Sequence, residues 1–229
     1  SIFFDNDEAV DKFFEKRQIE NEKKHKQPST LNVKANLDKL MLGDMQVFRF
    51  NFRHESKRKI LYLHGGYNTL QPSPFHWRFI DKLTLSTIHE VVLPIYPKAP
   101  DYHIEDSEKA VRDVYNQLVD EVGAEHIIVM GDGSGGALAL NLVQTLIENN
   151  EPVPRQLYLI SPLLDATLSN KDITDELLGK DILISRFGVN EIMKRWAEGV
   201  PLTDKRVSPI YGPIAVSYTH LRAHETRED

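Results

Sequence analysis

Four short apolar runs, KILYLHGG (59–66), EVVLPIYP (90–97), HIIVMGDG (126–133) and QLYLISP (156–162), constrain this chain more than any other feature. Each is nearly continuous and ends in Gly, Pro or a polar loop, the pattern of a parallel strand covered on both faces. Between them lie FHWRFIDKLTLST (75–87), DSEKAVRDVYNQLVDEV (106–122) and GGALALNLVQTLIENN (135–150), whose apolar residues recur at i, i+3, i+4 and i+7. Asn150 ahead of Pro152 stops the last of these helices. Strand and helix alternating in this way predict an α/β fold with a doubly wound, mostly parallel sheet. Upstream, MQVFRFNFR (45–53) alternates, with Phe48, Phe50 and Phe52 on one face and Arg49 and Asn51 on the other, and reads as a half-buried antiparallel edge strand.

A chain of 229 residues, 41% of them hydrophobic, is long enough for one sizeable core. Its formal net charge of −6 offers no basic field to nucleic acid or to an anionic membrane. With no cysteine there is no disulfide framework, thiolate zinc site, iron–sulfur cluster or cysteine nucleophile. No two histidines stand at a metal-ligand spacing, so neither metal nor cofactor is expected. No apolar run reaches the roughly 18 residues of a membrane span, and Ser1 to Asp5 lacks the order of a secretion signal. A cytoplasmic protein is the expectation, with nothing to indicate its oligomeric state.

Both ends read as cut. Residues 1–44 open without an initiator Met on an amphipathic helix carrying Phe3, Val10, Phe13 and Phe14, and are expected to form a helical or cap segment. At the other end VSYTHLRAHET (216–226) resembles one reading frame of a sequencing-library adapter, so residues 216–229 are expected to be a non-native tail. That sets His220 and His224 aside as catalytic candidates and leaves 45–215 as the core. The core is expected to be truncated, with the strand at 156–160 left as an apolar sheet edge.

Ligands of an open parallel sheet sit beyond the carboxyl ends of its strands. The loops there are HGGYN (64–68), YPKAP (96–100), GDGSGG (131–136) and SPLLD (161–165). Gly131, Gly133 and Gly136 fit the dinucleotide fingerprint G-x-G-x-x-G, but that fingerprint follows a first strand and needs an acid at the end of the next, where this chain has Ser161 and Pro162. Nucleotide binding is therefore the weaker reading. The stronger one is a nucleophile elbow, a sharp strand-to-helix turn that raises a serine hydroxyl above the sheet, with HGG supplying backbone N–H groups to an oxyanion hole.

At these residues the chain resembles the hormone-sensitive-lipase-like branch of the α/β-hydrolase family, the esterases and lipases of the HGGG and GDSAGG type. His64, Gly65 and Gly66 match HGGG with Tyr67 at the third glycine, YPKAPDYHIEDSEKAVRDVY resembles the stretch around YRLAPE, and SPLLDAT and VSPIYG resemble further family segments. The resemblance runs from about residue 58 to 214. It implies hydrolysis of small carboxylic esters by acyl transfer, with Ser134 attacking, N–H groups of Gly65, Gly66 and Gly135 holding the oxyanion, and His64 and Asp132 supporting the loops. The sequence departs from the family at the elbow, where GDSAGG laid over GDGSGG without a gap puts Gly133 on the nucleophile position and keeps ALAL (137–140) in phase. Centring the turn on Ser134 shifts the helix by one residue, about 100°. The family's triad acid and histidine follow the segment that VSPIYG resembles, so none is assigned here. A binding protein without catalysis, taking a small ester or apolar ligand, stands as the alternative.

Tyr96 and Pro97 read as packing at a strand end, and Asp132 as a hydrogen-bonded structural acid. His25, His54, His76, His89, His103 and His126 read as surface or helix-end residues. Phe75, Trp77 and Phe79 read as core or site wall, Trp196 as core or acyl-pocket lining, and EKRQIENEKKHK (15–26) as a solvated helix face.

Overall fold

The computed structural model describes residues 6–52, 57–169 and 186–213, together with the backbone of 221–224. Its seven strands are β1 (Leu37–Leu42), β2 (Met45–Phe50), β3 (Lys59–Leu63), β4 (Glu90–Pro94), β5 (Ile127–Asp132), β6 (Gln156–Ile160) and β7 (Leu221–His224). The helices are α1 (Asp7–Glu22), α2 (Pro74–Thr87), α3 (Ile104–Val122), α4 (Gly133–Glu148) and α5 (Arg186–Ala197). The strands form one sheet in the order β1-β2-β4-β3-β5-β6-β7. β1, β2 and β4 pair antiparallel, and every later pairing is parallel.

The apolar runs are continuous because alternate residues enter different cores. Leu61, Leu63, Val92, Val129 and Leu157 pack on one face with α1, α3, α4 and α5; Ile60, Tyr62, Val91, Leu93 and Met130 pack on the other with Trp77 and Ile80 of α2. Such two-sided burial is what a doubly wound sheet requires. α2 starts at Ser73, whose hydroxyl accepts from the His76 N–H while the His76 ring accepts from the Ser73 N–H, a reciprocal cap at the end of α2 nearest the β5–α4 turn.

Three expectations change. β2 is an inner strand, because Leu37–Leu42 forms a hairpin with it and takes the edge; the boundary expected at residue 44 falls inside that hairpin. Arg49, read as facing solvent, is buried: its guanidinium pairs with Glu90 and forms two bonds to Glu121 at 2.8 and 2.6 Å. Lys59 closes the cluster, 2.5 Å from Glu90 and 2.9 Å from Glu121. Finally, β6 is not an edge, since the backbone of Leu221–His224 lies parallel beside it, with Leu157 opposite Leu221. Phe3 and His54 lie outside the described residues.

His25 follows α1 and is half-buried against the aromatic core, where its Nε2 accepts the Trp77 indole N–H at 2.9 Å. That bond needs a neutral ring. Burial first, and the positive charge of Lys98 second, push its pKa down to about 4 from an ordinary 6.5. The unfolded chain therefore takes up this proton more readily than the folded one. The stabilisation is complete above pH about 6.5 and is lost as pH falls from there towards about 4. Thermal melts should show a larger drop in Tm between pH 7 and pH 5 for the parent than for His25→Gln; equal drops would remove His25 from the pH dependence.

Candidate active site

The carboxyl ends of β3, β4, β5 and β6 bring the four expected loops together: the Leu163 N–H donates to the Gly133 carbonyl at 2.9 Å, and the Tyr96 hydroxyl donates to the His64 carbonyl. β5 passes into α4 with no intervening residue: Asp132 is extended (φ −114°), and Gly133 turns into the left-handed region at φ 52°. A side chain resists that backbone conformation, and glycine does not. Gly133 is thus the apex of the turn. A Cβ built on it comes, among the described residues outside the turn itself, within ordinary contact of the Gly65 Cα at 3.9 Å, so the apex faces the HGG loop.

The other glycines are there for close packing. A Cβ on Gly135 falls 2.0 Å from the Leu63 carbonyl oxygen and 2.6 Å from the His64 carbonyl, one on Gly131 falls 2.5 Å from the Gly135 carbonyl, and one on Gly136 falls 2.9 Å from Pro162. α4 therefore starts in direct backbone contact with β3 and β5. Ser134, the expected attacking hydroxyl, lies in the first turn of α4 with 2% exposure, and its Oγ has no hydrogen-bond partner. The structure places glycine at the apex and that hydroxyl below the surface.

Asp132 holds the two loops together. Its carboxylate accepts from the Tyr62 hydroxyl at 2.7 Å, from the Gly65 N–H at 3.0 Å and from His76 Nε2 at 3.0 Å. Because His76 Nδ1 accepts from the Ser73 N–H, the proton directed at Asp132 is on Nε2. Burial acts to raise the Asp132 pKa, but the hydrogen bonds from His76, Tyr62 and Gly65 outweigh it and keep the group below the ordinary aspartate range. Asp132 is an anionic strut between the β3 loop, α2 and the turn. The Gly65 N–H, expected in the oxyanion hole, is turned into this strut. Gly135 is pinned against β3. Among the described residues no printed bond takes the N–H of Gly66, which has φ 130°, and the first-turn N–H groups of α4 have no intrahelical acceptor and no bond from the Asp132 side chain. Partial positive charge at a helix start favours an anion there.

His64 is fully buried and braces the loop. Its Nδ1 donates to the Gly65 carbonyl at 2.8 Å, its ring stacks on Tyr96 at 4.8 Å, and the Tyr96 hydroxyl donates to the His64 carbonyl at 2.6 Å. Burial holds its pKa well below the ordinary histidine value, so it is a neutral spacer. Sequence reasoning missed Tyr62, read only as a strand residue, and His76, read as a helix-end histidine; the signal available was Ser73 three residues before His76. Trp196 is packing: it is 1% exposed and its indole N–H donates to Ser107 Oγ at 3.0 Å. Trp77 is core, whereas Phe75 is 64% exposed and stacks on Phe79 at 6.3 Å.

The fold that carries this turn is shared with known proteins. A family model described as alpha/beta hydrolase fold matches residues 60–222. The chain belongs to the α/β-hydrolase fold family. A Staphylococcus aureus protein of known structure, assigned as an esterase, is 66% identical with a TM-score of 0.92, covering 97% of this chain and 75% of that one. An esterase of Acinetobacter venetianus is 31% identical over 161 residues, 68% of this chain and 52% of the relative. A triacylglycerol lipase of Mycobacterium tuberculosis is 28% identical over 171 residues, 74% of this chain and 34% of the relative. This α/β-hydrolase chain thus spans about a third to a half of the length of these curated relatives. Among the described residues no helix is long and apolar enough to cross a membrane, and no cluster of side chains is arranged to hold a metal.

Proposed function

We propose that this α/β-hydrolase acts on small carboxylic esters, releasing acid and alcohol. The observation that carries the reading is the apposition of the Gly133 turn and the HGG loop, joined by the 3.0 Å bond from the Gly65 N–H to Asp132, beside first-turn N–H groups of α4 that have no intrahelical acceptor. An ester carbonyl placed between them directs its oxygen at N–H groups of Gly66 and Ser134, where charge develops as the carbonyl becomes tetrahedral. Donors fixed in place before the reaction stabilise that charge without reorganising. Relatives named esterase and triacylglycerol lipase support the same substrate class. Aryl esters of graded acyl length, from acetate to decanoate, test it with the gene product in full. Turnover above the buffer rate is expected, and a folded protein that turns over none of them contradicts it.

One observation favours a second reading, the glycine at the apex, which leaves no side chain there to attack. A site of this shape binds esters without converting them. It predicts a rise in Tm with ester and no turnover.

A further inference from the structure

We propose that the cleft beyond the carboxyl end of β4 binds a small amino carboxylate, with its carboxylate on the Lys98 ammonium and its own ammonium among the acids of the rim. This site goes beyond the ester-hydrolase reading and stands apart from the turn, since neither Gly133 nor any residue of HGG lines it. The cleft lies between the end of α1, the β1–β2 turn and the segment that leads from β4 into α3. Its volume of about 660 Å³ is in the range of small-molecule sites.

Lys98 is the residue that calls for an anion. A lysine is rarely buried without a charged partner, yet this one is 3% exposed. Of the three N–H groups of its ammonium, one reaches the Tyr96 carbonyl at 2.7 Å, and the nitrogen lies over the Tyr96 ring, 4.0 Å from its centroid. Among the described residues no carboxylate pairs with it. Burial first, and the positive charge of Arg17 of α1 second, push the Lys98 pKa well below the ordinary lysine value. His25 and His64, the other titratable rings that feel Lys98, are neutral. A carboxylate that enters the cleft supplies the missing opposite charge and reverses the shift.

The rim carries the other sign. Apart from Lys98 the cleft is lined by five carboxylates and three lysines, and Glu22, Asp44, Asp101 and Asp106 among the carboxylates are exposed. Such a rim repels a simple anion and draws in a molecule whose outer end is a cation. A buried cation beneath an acidic rim is the charge pattern of a zwitterion's partner.

Calorimetric titration of the gene product in full with 6-aminohexanoate, hexanoate and hexylamine tests the assignment, because the last two each carry one of the two charged ends. Lys98→Met keeps the length of the side chain and exchanges a buried charge for an apolar group, so binding that this variant loses is binding in the cleft. In that Lys98-dependent binding, 6-aminohexanoate should be at least about tenfold tighter than hexanoate, and Lys98→Met should weaken it at least about tenfold. Asp44→Asn combined with Asp101→Asn, both at exposed positions, should at least about halve the advantage over hexanoate at low salt. Three results overturn the proposal: no binding of 6-aminohexanoate, equal binding by parent and Lys98→Met, or an advantage over hexanoate that the two rim changes leave intact. If Lys98→Met fails to fold, the binding of 6-aminohexanoate and the rim variant still decide. Ester turnover does not enter these titrations, so the proposal and the ester-hydrolase reading fail separately.

Discussion

Replacing Glu90 by Gln is expected to cost about 3 kcal/mol of folding stability, read as a fall in the urea midpoint with an unchanged slope. Glu90 sits at the start of β4 with 2% exposure, pairing with Arg49 of β2 and Lys59 of β3. Neutralising it leaves two buried cations facing one carboxylate. Breaking a buried pair typically costs about 3–5 kcal/mol, and the lower figure applies because Glu121 stays in contact with both cations. Glu121→Gln should cost less, since its side chain is 30% exposed and water replaces part of what is lost. Hydrogen bonds from Arg49, with lesser help from Lys59, hold the Glu121 pKa down to about 2. A Glu90→Gln protein as stable as the parent would mean that the cluster is solvated in solution.

Gly135→Ala is expected to cost about 3 kcal/mol and to separate the two halves of the site. The added methyl falls 2.0 Å from the Leu63 carbonyl oxygen and 2.6 Å from the His64 carbonyl. These are backbone atoms of β3 and the HGG loop, so no side-chain rotation relieves the contact. α4 must move off the sheet, which leaves a gap between tightly packed elements and draws the Gly133 turn away from Gly65. Urea unfolding measures the loss. A variant within about 0.5 kcal/mol of the parent contradicts the close approach of α4 to β3.

The strands and helices of the core were legible because their period is local. Each of the four apolar runs became a strand and each amphipathic stretch between them a helix, with ends that coincide or shift by up to three residues. What was not legible is pairing across long stretches of chain. Arg49 read as solvent-facing because a sequence does not reveal that Glu90 and Glu121 come to meet it. LDKLML (37–42) carries two charges among its apolar residues and did not read as a strand, although pairing with β2 makes it one. The site was legible to the level of its loops. The glycine spacing marked the turn, and HGG marked its partner. The division of labour among Gly65, Gly66, Gly133 and Gly135 was not, since it depends on which N–H group Asp132 takes and on backbones so close that an added Cβ would fall 2–3 Å from its neighbours. Glycines written alike in a sequence thus carry different duties: Gly133 for its left-handed turn, Gly135 for its lack of a Cβ.

The central claim is that Asp132 holds the HGG loop against the turn so that the N–H groups there receive an ester oxygen. In Asp132→Asn the negative charge that Tyr62, Gly65 and His76 share through Oδ1 is lost, and Oδ2 becomes an amide NH2 facing the His76 Nε2–H at 3.0 Å, donor against donor. The most direct measurement is the rate of phenyl acetate hydrolysis by the gene product in full, beside an Asp132→Asn variant shown by circular dichroism to be equally folded. Turnover above buffer by the wild type and a loss of about 10²-fold in the variant are expected, the cost of misplacing an oxyanion loop. A wild type no faster than buffer, or a variant as fast as the wild type, would contradict the account.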